Sequence, residues 1–134
     1  MPFRKCCNDE KGEIVEYERP NGRCPAHDFI KECQEKMSKR FKGSFLALTK
    51  MGADYVNWER FHALSGDGKP LWEFKEHDHR LFCVRKQLPN GHVKVILLNG
   101  WVKDKAGRAK EERNHIVTAQ NLYAEYWREV GGKP

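Results

Sequence analysis

No run of this 134-residue chain approaches the roughly 20 consecutive apolar residues that a membrane-spanning helix needs. The segment holding Cys6, Cys7, Asn8, Asp9 and Glu10 also lacks the apolar core of a secretory signal. Together these absences set a cytoplasmic location as the expectation. Useful cysteine patterns are scarce too: the five thiols, Cys6, Cys7, Cys24, Cys33 and Cys83, are an odd number, and in an unsecreted chain reduced thiols are the default. Cys24-Pro25-Ala26-His27 has local spacing that zinc could use. Adjacent Cys6 and Cys7 lack the gap of a zinc-binding pair, so neither a metal nor a cofactor is expected. Internal repeats and low-complexity segments are also missing. The expectation is a single domain over residues 1–134, with 1–12 and 131–134 as flexible ends.

What is abundant is charge. Charged residues make up 33% of the chain against 39% hydrophobic, and the formal net charge is +6. Its position is informative: between Lys69 and Arg113 there are eleven Lys/Arg and six Asp/Glu, a local surplus of five. Such clustering suits an anionic partner, nucleic acid being the commonest, through phosphate pairing and counterion release. An ordinary solvated surface is the alternative.

Hydrophobic periodicity places this charge on structure. Glu13–Glu18 (EIVEYE) reads as a first strand, closed by Arg19-Pro20-Asn21-Gly22. Phe29, Cys33 and Met37 recur in steps of four after Pro25, which predicts an amphipathic helix from about Pro25 to Arg40. Gly43 is the expected interruption, with Phe45, Leu48 and Met51 continuing the apolar face to Gly52. Asp54–Pro70 reads as irregular. Three strands follow at Leu71–Lys75, Arg80–Lys86 and His92–Leu98, the last two joined by Pro89-Asn90-Gly91. The Asn-Gly pair favours a tight hairpin turn because both central residues need positive φ. A closing helix begins near Arg108, tracks Ile116, Ala119, Tyr123 and Trp127, and ends at Gly131-Gly132. The predicted class is α+β, a small antiparallel sheet with helices packed on one face and the other face open.

Alternation then sorts the cations. Lys75 shares a face with Glu73, opposite Trp72 and Phe74. On the next strand Arg80 sides with Phe82 and Val84, whereas Arg85 sides with Leu81 and Cys83, so the two arginines cannot line one site without a bulge. An arginine opening an apolar strand needs a partner, and Glu73 is a candidate. His77 and His79 could act as acid or base near neutral pH, or sit as plain turn residues. Tyr123, Tyr126 and Trp127 could stack on bases, but helical spacing favours core packing.

The succession Phe61-His62-Ala63-Leu64-Ser65-Gly66-Asp67-Gly68, then Leu71-Trp72-Glu73-Phe74-Lys75, then Arg80-Leu81-Phe82, then VILLNGWVK ending at Lys103, resembles the phage-derived, HigB-like branch of the RelE/ParE toxin superfamily. The likeness covers roughly residues 25 to 127 and rests on order and spacing rather than on any single motif. It implies a RelE-like fold and a metal-independent endoribonuclease that cleaves mRNA on the ribosome as the toxin of a type II toxin–antitoxin pair. The implied partners are mRNA, the ribosome and a cognate antitoxin of helix-turn-helix type, with no membrane involved. By the same resemblance, Arg80 and Lys103 bind the phosphate and its transition state, and Lys75 serves in proton transfer or phosphate binding. Arg85, Lys105 and Arg108 are the further cations expected to contact RNA. The chain departs from its relatives where Lys103 is followed by Asp104 rather than by a second basic residue. A ParE-like, gyrase-inhibiting binding protein and a non-catalytic nucleic-acid-binding module are the alternatives.

Overall fold

The computed structural model describes residues 2–55, 57, 59–103 and 109–131. Strands β1 (Phe3–Asp9) and β2 (Gly12–Tyr17) form an N-terminal hairpin, followed by helices α1 (Pro25–Glu32) and α2 (Glu35–Met51). A short strand β3 (Phe61–Ala63) then leads into the meander β4 (Trp72–Glu76), β5 (His79–Gln87) and β6 (Val93–Val102), and α3 (Ala109–Val130) closes the described chain. The class is α+β as expected. Among the described residues no helix is long and apolar enough to cross a membrane.

The sheet departs from the expected small antiparallel one. It has six strands in the order β1-β2-β6-β5-β4-β3, and β2 pairs with β6 in parallel. The helical pair explains this: a crossover of such length carries the chain to the far edge, from which the meander returns to lie beside β2. Residues 3–9, expected within a flexible stretch, form the edge strand β1, because β2 offers them an antiparallel ladder, interrupted by one bulge at Cys6. Of the other expected loose end, only Gly131 lies within the described residues.

Helices cover both faces rather than one. Leu81, Cys83, Val95 and Leu97 meet Phe41, Phe45 and Leu48 of α2 on one side, whereas Phe82, Val84, Ile96 and Leu98 meet Ala119, Leu122 and Tyr126 of α3 on the other. Strands apolar on both sides need cover on both sides, and the unbroken Val95-Ile96-Leu97-Leu98 run is the sequence sign of it. The helical break also moves. It falls at Cys33-Gln34, where ψ is 149° and 148°, and Gly43 lies inside α2. The Pro89-Asn90-Gly91 turn has the positive φ expected of both central residues, 64° at Asn90 and 74° at Gly91.

Two contacts hold the layers in place. Glu76, buried on the α2 side, accepts hydrogen bonds from Ser44 Oγ (2.9 Å) and from Arg60 (3.1 Å), tying α2 to the end of β4. On the opposite side Glu125 of α3 accepts from the hydroxyl of Tyr17 (2.8 Å) and is gripped by both ends of the Arg19 guanidinium (3.0 and 3.1 Å). Arg19 holds the Glu125 carboxyl below the usual carboxylate range.

One glycine is dictated by close approach. A Cβ at Gly100 would collide with the ring of Phe29, which lies directly on β6. Gly100→Ala is therefore expected to destabilise the fold by about 1–3 kcal/mol through overpacking, measured by urea unfolding. The double change Gly100→Ala with Phe29→Leu should recover part of that loss.

Candidate functional site

Strand register assembles polar residues on the α3 side of the sheet. Lys75 on β4 is paired across to Arg80 on β5, and Arg80 to Trp101 on β6. One step along the strands, a second row runs His62, Glu73, Phe82, Asn99 through β3, β4, β5 and β6. The two rows share a face because successive members, two residues apart on β4 and β5, keep the same pleat. On β6 the register slips by one residue between the partners of Phe82 and Cys83, and this bulge at Leu98 brings Asn99 and Trp101 onto the same side. Lys103 follows just past the end of β6, its amide donating to the Asp78 carbonyl at 2.7 Å.

At the centre is a buried carboxylate attended by an imidazole and a guanidinium. Glu73 Oε2 lies 2.9 Å from His62 Nε2, and Glu73 Oε1 lies 3.7 Å from Arg80 Nε. Burial raises the Glu73 carboxyl above its ordinary value, and the opposing pull of His62, then of Arg80, only partly offsets this. Arg80 is itself well fixed: its Nη1 donates to the carbonyls of His77 and His79, and its side chain is only 11% exposed. Lys75 takes part in no ion pair among the described residues.

Helix α3 forms the wall of the site. The imidazole of His115 stacks on Trp101 with ring centres 4.9 Å apart, and its carbonyl accepts from Asn99 Nδ2 at 3.4 Å. Glu112 stands 4.0 Å from Lys103 Nζ, with both side chains substantially exposed. Three buried polar atoms on this side, Asn99 Oδ1, Trp101 Nε1 and Trp127 Nε1, have no hydrogen-bond partner among the described residues. Beside Glu112 a cleft of about 530 Å³ opens between α3 and the Ser65–Gly68 turn.

The sequence-predicted residues thus divide. Lys75, Arg80 and Lys103 all belong to the α3 side of the meander. Arg85 does not: its guanidinium lies 5.0 Å from the centre of the Trp72 ring on the opposite face, where desolvation lowers its pKa. Lys105 and Arg108 lie outside the described residues, as does Asp104. The expected open face is partly roofed by α3, since its Ile116, Ala119 and Leu122 stripe needs the apolar side of β5 and β6. His79 is excluded from the site, its ring set against Phe29 and its Nδ1 2.8 Å from Asp78. His77 contributes only its carbonyl. Tyr126 is buried against Tyr17, as core packing requires.

His62, Asn99, Trp101 and His115 were not singled out from the sequence. The signal for His62 was present in principle: once Phe61–Ala63 is read as a strand beside β4, alternation puts His62 next to Glu73. Among the described residues no group of three or more His, Cys, Asp or Glu side chains is placed to hold a metal ion. No protein-family model matches the chain, and no curated protein matches it as a relative.

Proposed function

We propose that this protein is a RelE-like, metal-independent endoribonuclease, the toxin of a type II toxin–antitoxin pair that cleaves mRNA on the ribosome. The observation that supports it best is the juxtaposition of Lys75 and Arg80 with the His62–Glu73 pair on one sheet face. The α+β class, with a helical pair before the meander and a closing helix after it, is compatible with this reading, although the sheet is six-stranded and mixed rather than small and antiparallel.

Cleavage of this kind joins the ribose 2′-oxygen to phosphorus while the bond from phosphorus to the 5′-oxygen breaks, leaving a cyclic phosphate and a 5′-hydroxyl. The His62–Glu73 pair takes the 2′-proton. Arg80, rigid on β5, and Lys103 face the extra negative charge on the phosphorane, and electrostatic preorganisation of this type needs no metal. Lys75 supplies a proton to the departing 5′-oxygen. His115, half-buried and backed by the buried Trp101 ring, offers an aromatic surface for a base.

A second reading, an RNA-binding module without cleavage, draws on the engagement of Arg80 by Glu73 and two backbone carbonyls. Purified protein added to translating ribosomes, with mapping of mRNA ends, separates the two. New ends from wild-type protein and none from His62→Ala are the expected result. Intact mRNA with retained RNA binding would instead establish the binding module, and intact mRNA with inhibited DNA supercoiling would point to gyrase.

A further inference from the structure

On the opposite side of the sheet, a cavity of about 660 Å³ opens between β1, β2, α1 and α2. Its volume falls within the roughly 300–1,000 Å³ typical of small-molecule sites. Ile30, Phe45 and Leu46 make its apolar part, and Leu46, 53% exposed, leaves that part accessible from solvent. Lys5, Lys31 and Lys42 approach it from three different elements, and none of them takes part in an ion pair among the described residues. The one carboxylate on the lining, Glu16, is 5% exposed and lies 3.3 Å from His27 Nδ1. Three lysines and a single carboxylate, which already has its own partner, therefore line the cavity.

Strand β1 shapes the mouth. Its register slips between Lys5 and Cys7, a bulge that places Lys5, Cys6 and Cys7 together along the cavity. The same bulge spoils this edge as a template for an added peptide strand. Although part of Cys6 reaches solvent, desolvation of its thiol, followed by the fields of Glu16 and Cys7, pushes its pKa up to about 12. Held as the neutral thiol, it lines the site without attacking what binds there.

We propose that this cavity binds a small amphipathic anion, an apolar body seated on Ile30, Phe45 and Leu46 with a terminal oxyanion held among Lys5, Lys31 and Lys42. Burial of the body follows the hydrophobic effect, and the lysines select the charged head over an uncharged one. The site is independent of the proposed ribonuclease site, from which it is separated by the sheet.

The full-length, isotopically labelled protein would be titrated with decanoate, decyl phosphate and decanol, following amide resonances. Expected are saturable shifts centred on Ile30, Phe45 and Leu46 with both anions, and at least about tenfold weaker binding of decanol, a difference of roughly 1.4 kcal/mol. The tighter of the two anions identifies the head group. Lys31→Glu combined with Lys42→Glu, both exposed positions, should weaken decanoate binding about tenfold with the unfolding temperature and any mRNA cleavage unchanged. Equal binding of decanol and decanoate, shifts that map elsewhere, or no shift at millimolar ligand would each overturn the proposal.

Discussion

Arg80→Ala is expected to lower mRNA cleavage by roughly 10²–10³-fold, the usual effect of removing one preorganised donor from a developing anion, whereas Arg85→Ala should stay within about twofold of wild type. The contrast comes from the pleat. Both arginines sit on β5, five positions apart, and the odd spacing sends them to opposite faces: Arg80 to Glu73, Arg85 to the Trp72 ring. Loss of Arg80 also removes a partner of buried Glu73, so a fall in activity alone would not distinguish a transition-state role from a supporting one. Arg80→Lys makes the distinction, because it keeps a charge near Glu73 but loses the planar guanidinium anchored on the His77 and His79 carbonyls. A role at the phosphate predicts that Arg80→Lys keeps near-normal stability while cleavage stays low. A role confined to supporting Glu73 predicts that cleavage and stability recover together.

The largest stability effect is expected at Glu76. Glu76→Ala should cost about 2–3 kcal/mol, read from chemical denaturation, below the roughly 3–5 kcal/mol typical of a fully buried broken pair. The discount follows from exposure: Arg60 is 44% exposed and can return to water, whereas Ser44 is buried and loses its acceptor outright. Glu76→Gln retains an acceptor for Ser44 and should lose less than half as much. Because Glu76 ties α2 to the α2 side of β4, both variants should leave any RNA binding at the other face intact under conditions where the protein is folded.

Much of this architecture was legible in the residues. The Asn90-Gly91 turn, the three strands of the meander and the opposite placement of Arg80 and Arg85 all follow from local rules of φ and alternation. Less legible was whatever depended on pairing between distant segments. Phe61–Ala63 is too short to stand out as a strand, and only its register with Trp72–Phe74 places His62 against Glu73. Phe3–Asp9 has little apolar character, and its order comes from the ladder offered by β2. The bulge at Leu98 has no sequence signature, yet it decides which residues of β6 join the site. The role of Glu73 was foreseen only as a possible partner of Arg80, since burial, the main cause of its raised pKa, is a property of the assembled sheet.

The parallel pairing of β2 with β6 has a consequence for the order in which the molecule is made. A chain emerging from the ribosome completes β2 early, but its second neighbour, Val93–Val102, is synthesised last among the strands. Pairings between segments so far apart in sequence are entropically costly and form late. Arg80 meets Trp101 only once this same late strand is made, and His115 stacks on Trp101 only when α3 has followed it. For a protein proposed to attack the message being translated, this topology delays the assembly of its own site until β6 and α3 have both been synthesised.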